Sequence, residues 1–219
     1  MNFSISEENY IKAIYHLEQN AGLVNTNELA TELKTKAASV TDMLKKLKAK
    51  KLLHYERYRG FNLSEDGKKI ALAIVRKHRL WEYFLVNKLD FGWDEVHEIA
   101  EQLEHINSAT LVDKLDAFLQ FPKFDPHGDP IPDVNGHMEA TRQINLTDLE
   151  LNHVAEVCAV GSQSTELLEL LRHRNIGIGS KIEVKRRFSF DHSLEIRLKN
   201  EPAFTISQQL AQTLFVKPL

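Results

Sequence analysis

Two histidines and two glutamates lie close together in the middle of the chain, on a segment whose apolar spacing predicts a helix. At about 100° per residue, His97, Glu101, Glu104 and His105 fall within roughly a quarter to a third of the helix circumference. This polar stripe borders the apolar arc of the same helix, and charged groups at the edge of a buried face need partners. Imidazoles and carboxylates in this arrangement can bind a divalent metal ion.

A second pair of such residues, His78 and Glu82, lies four residues apart on the preceding predicted helix. The two helices together offer imidazoles and carboxylates but no thiolate, which favours Mn²⁺, or alternatively Fe²⁺, with Zn²⁺ and Co²⁺ able to substitute in vitro. Taken singly, each histidine is an ordinary half-buried side chain, and Glu101 with His105 an exposed ion pair one turn apart. The coincidence of all six residues on successive helices favours the metal site.

A small, polar helix face precedes these ligands in the chain. Two short helices joined by a polar turn and followed by a basic hairpin predict a winged helix-turn-helix, whose second helix enters the major groove of DNA. Small side chains allow close approach, while hydroxyl and cationic groups contact base edges and phosphates. The residues predicted to contact DNA are Lys36, Ala38, Ser39, Thr41, Asp42 and Lys46 on that helix and Arg57 and Arg59 in the hairpin. The alternative is a helical hairpin with a solvated, lysine-rich face.

The elements that position these groups follow from capping and periodicity. Ser6 is the predicted N-cap of the first helix, and Asn25 with Glu28 has the form of a capping box that opens the second. One amphipathic helix is predicted over residues 93–107. Period-two alternation after residue 180 predicts strands, with a short helix before them around residues 164–171.

A turn-rich linker divides the chain, since four of its six prolines lie within residues 122–132. We therefore predict a mainly α protein with a small β domain, in three parts. Residues 1–65 form the winged helix-turn-helix DNA-binding domain, residues 66–140 a helical metal-binding and dimerisation domain, and residues 145–219 a small β-barrel or sheet.

Composition and charge agree with a soluble DNA-binding protein. The longest apolar run has six residues, whereas a membrane span needs about 18, so no membrane partner is expected. The absence of a secretory signal and the single cysteine, Cys158, predict a cytoplasmic location. Residues 1–80 carry 15 Lys and Arg against 9 Asp and Glu, and residues 81–145 carry 4 against 13. The basic part suits a polyanion, and the acidic part suits a cation.

Several stretches resemble the diphtheria toxin repressor (DtxR/MntR) family of metal-dependent transcription regulators. The order and spacing match over about residues 5–135, and the C-terminal part is similar to the SH3-like, or FeoA-like, domain of longer members. The resembling stretches are Glu8–Tyr15, Ser39–Leu44, Tyr55–Gly60, Arg76–Glu82, Val96–His105 and Pro126–Pro132.

The resemblance implies a homodimer that represses metal-uptake genes when metal is abundant. It places Glu101, Glu104 and His105 on the family's primary metal site, together with Asn9 of the first helix. It places His78, Glu82 and His97 on the ancillary site, with Gln163 and Glu166 of the last domain as further ligands. Iron-responsive members have a cysteine at the position of Glu101, so the glutamate is typical of the manganese-responsive branch and suits Mn²⁺.

Two residues depart from the family pattern on the first helix. Asn9 stands where the family has aspartate or methionine, and its amide oxygen can coordinate a metal without adding charge. Lys12 stands where the manganese branch has a second glutamate, and an ammonium group cannot bind a cation. Lys12 therefore argues against the binuclear arrangement of short manganese regulators.

Together these features predict a manganese-dependent repressor that binds a palindromic DNA operator as a homodimer and takes no small-molecule substrate. We expect the metal to tie the first helix, through Asn9, to the segment that carries Glu104 and His105. An iron-dependent repressor of the same family is the alternative. A metal-dependent hydrolase is a rival of another class, and so is a DNA-binding protein whose acidic middle is only a dimer interface; we predict no enzyme.

Overall fold

The computed structural model describes residues 3–56, 59–140 and 142–219, with Asn20 and Ala21 described by their backbone only. In chain order the elements are α1 (Ile5–Ala21), α2 (Thr26–Glu32), α3 (Ala37–Ala49), β1 (Leu53–Glu56), β2 (Gly60–Leu63), α4 (Glu65–Leu89), α5 (Val96–Leu103), α6 (Ala109–Phe118), β3 (Ile144–Asn145), β4 (Val154–Val160), α7 (Thr165–His173), β5 (Lys181–Arg187), β6 (Leu194–Leu198), β7 (Phe204–Ile206), α8 (Gln208–Gln212) and β8 (Leu214–Pro218). A short 3₁₀ helix, Leu146–Asp148, follows β3. Among these helices none combines the length and apolarity that crossing a membrane requires.

The chain divides into two compact units. The first comprises Met1–His78, Gln102–Val112 and Pro132–Met138, and the second comprises Arg79–Glu101, Asp113–Ile131 and Glu139–Leu219. The three-part division made from the sequence stays a prediction.

The core of the first unit is built by α1, α2, α3 and the β1–β2 hairpin. Ile11, Ile14, Leu29, Leu47 and Phe61 are fully buried there, as helical and alternating apolar spacing requires. Because the apolar face of α3 points inward, the polar face of this helix is left to the solvent.

The helix caps agree with the sequence prediction in one helix and differ in another. Asn25 accepts hydrogen bonds from the backbone of Asn27 and Glu28, and the reciprocal contact of Glu28 completes the predicted capping box. The first helix begins earlier than predicted, since Ser4, and not Ser6, forms its capping box with Glu7. Both serines precede a glutamate-containing turn, so the type of residue alone did not identify the cap.

The predicted hairpin is present as β1 and β2, which pair antiparallel with Leu53 opposite Leu63. At its second strand, Gly60 has φ +131°, and a Cβ there would lie 2.6 Å from the carbonyl oxygen of Val24. Only glycine fits this close approach. Arg57, one of the predicted DNA contacts, lies outside the described residues.

The helix predicted over residues 93–107 is shorter in the structure. It begins at Val96 and ends at Leu103, so that Glu104 and His105 lie in the following turn. The expectation that these two residues share one helix face with His97 and Glu101 is therefore wrong. The Glu104 side chain is completely buried in this turn.

The second unit contains a six-stranded antiparallel sheet with the strand order β3-β8-β4-β5-β6-β7. Its core includes Val157, Ile182, Val184, Ile196 and Leu214, whose alternation in sequence is that of strands with one buried face. The short helix predicted around residues 164–171 is present as α7, and Ser164 is its N-cap. The predicted fold class, mainly α with a winged helix-turn-helix and a small C-terminal β domain, is confirmed.

Candidate metal centre and nucleic-acid interface

Glu104 is the centre of a buried ionic cluster in the first unit. Its side chain is 0% exposed, and its Oε2 lies 2.6 Å from Nδ1 of His78. The Nζ of Lys12 on α1 lies 2.7 Å from Oε1 and 2.9 Å from Oε2 of the same carboxylate. Oε2 therefore contacts both His78 and Lys12, whereas Oε1 lies close to the ammonium but makes no hydrogen bond among the described residues.

These contacts determine the charge of Glu104. Burial raises the pKa of the Glu104 carboxyl, but the hydrogen bond with His78 and the positive charge of Lys12 lower it, and the net shift is downward. The carboxylate is thus ionised at neutral pH in spite of its burial.

His105, the next residue, contacts α1 through a carboxylate that the sequence did not single out. Its Nδ1 lies 2.6 Å from Oε2 of Glu8, and Glu8 is also 3.8 Å from Nζ of Lys77. A carboxylate accepts the proton of Nδ1–H, which leaves the lone pair on Nε2 free for a metal. That Nε2 lies 3.8 Å from Oε1 of Glu104, so both atoms can face one ion.

Asn9 was the predicted ligand from α1, and it is half-buried. The contacts of α1 with Glu104 and His105 that the structure gives come instead from its neighbours Glu8 and Lys12. Participation of Asn9 in metal binding stays a prediction.

A second cluster, in the second unit, consists of Glu82, Asp125 and His127. Each residue offers one ligand atom, and the three atoms lie within 4.8 Å of one another. All three residues are buried. Two carboxylates and one imidazole without a thiolate are a donor set that suits Mn²⁺ or Fe²⁺.

The turn around Asp125 positions this second cluster. Oδ1 of Asp125 accepts hydrogen bonds from the backbone N–H groups of His127 and Asp129 at 2.8 and 3.0 Å. Gly128, with φ +88°, packs against the backbone of β4, and a Cβ there would lie 1.9 Å from the carbonyl oxygen of Cys158. The backbone of the turn thus packs directly against the backbone of β4, with no room for a side chain at position 128.

The tautomer of His127 leaves a nitrogen for a metal. Nε2 lies 2.8 Å from the backbone carbonyl of Trp93, which can only accept, so Nε2 carries the proton. Nδ1 has no hydrogen-bond partner among the described residues and lies 3.7 Å from Oε2 of Glu82. Although burial lowers the pKa of His127, the nearby carboxylate of Glu82 raises it, and the net shift is upward.

Asp125 carries the largest electrostatic strain of this cluster. Burial, followed by the charges of Asp129 and Glu82, raises its pKa to about 7, although His127 and Arg79 act in the opposite direction. Its Oδ2 has no hydrogen-bond partner in the described residues and lies 3.6 Å from Nε of Arg79. An added cation would relieve this strain.

The remaining predicted ligands are distributed as follows. His97 is 43% exposed, with Nδ1 at 3.4 Å from Glu82 and Nε2 at 3.7 Å from the exposed Glu101. Gln163 donates a hydrogen bond to Oδ2 of Asp129 at 2.9 Å, while Glu166 is exposed on the first turn of α7.

Sequence reasoning missed Glu8, Asp125 and His127. A signal for the last two was present, because the segment Asp125–Asp129 combines two aspartates and a histidine within five residues. Its prolines led us to treat this segment as a linker, yet turns rich in Asp and Gly also carry ligands. Glu8 gave no such signal, since its relation to His105 arises only from the tertiary fold.

The predicted DNA face of α3 is exposed throughout the described residues. Its N-terminal half begins at Ala37, and the small residues of that turn leave the backbone accessible. Thr41 donates a hydrogen bond to the carbonyl of Ala37 at 2.9 Å, and Asp42 pairs with Lys45 at 3.0 Å. The exposed predicted contacts on this helix and before it are Lys36, Ala38, Ser39, Thr41, Asp42 and Lys46.

The hairpin beside α3 adds further cationic groups. Arg59 is 76% exposed and lies 3.2 Å from Glu56, and Lys48 stands over the ring of Tyr55. These are surface contacts that contribute little to stability, so the cations remain accessible to phosphates.

Models of three domain families match the chain. The domain described as "Iron dependent repressor, N-terminal DNA binding domain" matches residues 2–61, "Iron dependent repressor, metal binding and dimerisation domain" matches residues 64–133, and the FeoA domain matches residues 144–218. These matches agree with the order of elements described above.

Similar proteins carry related names. The iron-dependent repressor IdeR of Mycobacterium tuberculosis is 33% identical over 125 residues, which are 57% of this chain and only 54% of that relative. The transcriptional regulator MntR of Oceanobacillus iheyensis is 34% identical over 120 residues, 55% of this chain and 81% of that relative. A solved structure named "Manganese-dependent transcriptional repressor complex with manganese" has a TM-score of 0.86 at 30% identity and covers 97% of this chain and 100% of its own.

The chain belongs to the diphtheria toxin repressor family. The resemblance stated from the sequence is therefore confirmed. Because members of this family are transcription repressors and regulators, the prediction that the chain is not an enzyme is also confirmed, and the hydrolase alternative is set aside.

Proposed function

We propose that this chain is a manganese-dependent repressor of metal-uptake genes, which binds a palindromic operator as a homodimer when metal is bound. The observation that carries the proposal is the convergence of α1 residues on Glu104 and His105 in the same unit as the exposed α3 face. A metal ion bound by Glu104 and His105 would change the contacts that these residues make with α1. Helix α1 in turn packs in the same hydrophobic core as α3.

The proposed ligands come from both clusters. Glu104 and His105 would hold one ion, and Glu82, Asp125 and His127 would hold another. Each ion would supply positive charge to buried carboxylates. The predicted ligands that we retain for testing are Asn9, His78, His97, Glu101, Gln163 and Glu166.

The choice of Mn²⁺ rests on ligand chemistry. Both clusters present carboxylates and imidazoles, which suit Mn²⁺ and Fe²⁺, and neither presents a thiolate. Iron remains the second candidate, because the family models are named for iron dependence. Anaerobic titration with each metal separates the two: tighter binding of Fe²⁺ at physiological concentrations would replace manganese by iron in this proposal.

The dimer proposal is supported by exposed aromatic side chains in the second unit. Phe118 and Phe121 are each 61% exposed at the C-terminal end of α6 and beyond it. Large exposed apolar residues that lie together mark protein–protein interfaces. A homodimer would present two α3 helices to successive major grooves of a palindrome, about one helical turn apart. We place this activity in the cytoplasm.

Fluorescence anisotropy tests the proposed function. The probe is a labelled duplex selected by the Mn²⁺-loaded protein from a random-sequence pool. We expect saturable binding with Mn²⁺ and its loss when EDTA removes the metal; equal binding in both conditions would contradict metal dependence.

Two lysine variants test whether α3 is the DNA-contacting face. Lys46→Ala removes an exposed cation of α3, so it should weaken binding to all sequences. It should also lower the slope of the logarithm of affinity against the logarithm of salt concentration by about one. Lys69→Ala is the matched control, because Lys69 is 76% exposed on α4 and outside the predicted face. An equal effect of both variants would remove α3 from the interface.

A further inference from the structure

Lys12 occupies the place beside Glu104 where a cation is needed. Its Nζ lies within 3 Å of both carboxylate oxygens, at 2.7 and 2.9 Å. The Lys12 side chain is 13% exposed and that of Glu104 is 0% exposed, so water contributes little to the solvation of this pair. Lys12 is one of the two residues of the first helix that depart from the family pattern.

A buried carboxylate requires a compensating charge, and Lys12 supplies it together with the hydrogen bond from His78. A divalent ion bound by Glu104 would supply the same charge. Since two cations close to one carboxylate repel each other strongly in a buried site, the ammonium and the ion compete for Glu104.

We propose that the Lys12 ammonium forms an ion pair with Glu104 in the metal-free protein and moves away from it when a divalent metal ion binds. Lys12 thereby sets the metal concentration at which Glu104 and His105 become occupied. This inference rests on the proposed function, because it assumes that Glu104 is a metal ligand.

The exchange has a simple thermodynamic consequence. A metal binds only the fraction of molecules in which Glu104 is released from Lys12, so its apparent affinity is lower than the intrinsic affinity by that fraction. Removing the ammonium while keeping a polar side chain therefore tightens metal binding. A purely structural ion pair predicts the opposite, since its loss would loosen the site.

Amine labelling of the wild-type protein tests the exchange directly. We expect N-hydroxysuccinimidyl acetate to modify Lys12 more rapidly in saturating Mn²⁺ than in EDTA, as measured by peptide mass spectrometry. Lys69, which is exposed in the first unit, is the internal reference whose rate should stay constant. An unchanged ratio of Lys12 to Lys69 labelling would overturn the exchange.

Calorimetric titration with Mn²⁺ provides the second test. Because two sites are proposed, the titration is fitted with two sites, of which the weaker should be that of Glu104. At this weaker site Lys12→Gln should bind Mn²⁺ about tenfold more tightly than wild type, whereas Lys12→Arg, which keeps the cation, should stay within about twofold. Lys50→Gln is the matched control, since it removes the 2.6 Å ion pair of Lys50 with Glu7 on α1 without changing the Glu104 cluster. It should leave the Mn²⁺ affinity unchanged.

The outcomes separate this inference from the proposed function. If wild type and Lys12→Gln bind Mn²⁺ equally, or if the variant binds more weakly, only the role of Lys12 is overturned. If neither binds Mn²⁺, the proposed function fails and this inference fails with it. Should Lys12→Gln not fold without metal, the labelling of wild type and the affinity of Lys12→Arg still decide the question.

Discussion

The two buried clusters both contain carboxylates and imidazoles, but their charges are balanced differently. Glu104 is contacted by the ammonium of Lys12 and by His78, and its pKa is lowered. Asp125 is buried beside other carboxylates, and its pKa is raised to about 7. The charge of Glu104 in the first cluster is therefore compensated by Lys12 and His78, whereas Asp125 in the second is under electrostatic strain.

This difference shows that the ability of a cluster to bind a metal ion cannot be judged from the types of its ligands alone. In the second cluster, Asp125 Oδ2 and His127 Nδ1 have no hydrogen-bond partner among the described residues, so a cation would gain contacts without displacing others. In the first cluster, a metal ion can bind Glu104 only by displacing Lys12. We therefore expect the second cluster to fill at lower Mn²⁺ concentration than the first.

The largest effect should come from Glu104→Ala. It leaves Lys12 and His78 buried without their carboxylate, and breaking a buried pair in this way costs about 3 kcal/mol or more of unfolding free energy. Urea denaturation of the metal-free protein measures this loss. Glu98→Ala, at an exposed position of α5, should change stability by no more than about 0.5 kcal/mol. Similar losses in the two variants would show that Glu104 is not charge-compensated as described.

An intermediate effect is expected for Glu8→Gln. The neutral amide no longer enhances the basicity of His105 through Nδ1, and loss of such a supporting carboxylate weakens metal binding by about tenfold or more. Mn²⁺ titration measures the change. Glu7→Gln on the same turn is the control, because Glu7 contacts Lys50 and Ser4 and not the histidine. Unchanged affinity in Glu8→Gln would remove Glu8 from the metal site.

Asp125→Asn should change the stability in opposite directions with and without metal. Because the pKa of Asp125 is raised from 3.8 to about 7, the stability from its protonated form is complete below pH 4 and is lost as the pH rises through 7. The variant should therefore match wild type near pH 4 and be more stable than wild type above pH 7 in EDTA.

With Mn²⁺ the order should reverse, since the amide supplies no negative charge to the ion. Thermal unfolding at several pH values, in EDTA and in Mn²⁺, gives both comparisons. A variant that is less stable than wild type in EDTA at pH 8 would contradict the strain assigned to Asp125.

Local patterns in the sequence were sufficient for much of the fold. The capping box at Asn25, the hairpin ending at Leu63 and the short helix near residues 164–171 were predicted because each depends on residues within a few positions. The end of α5 was not predicted, since the apolar spacing continues past Leu103.

The candidate metal centre could be predicted only in part. His78, Glu82, Glu104 and His105 were found from helical spacing, and the structure brings His78 to Glu104. The contact of His105 with α1 and the approach of the Asp125 turn to Glu82 join residues far apart in sequence. Such contacts arise from tertiary packing, which periodicity does not encode.

The location of the bound metal tests the central claim most directly. A crystal of the protein soaked in Mn²⁺, measured at the manganese absorption edge, would show each ion as an anomalous peak. We expect peaks within bonding distance of Glu104 and His105 and of Nδ1 of His127. The absence of a peak at both clusters in a fully soaked crystal would contradict a metal-dependent regulator.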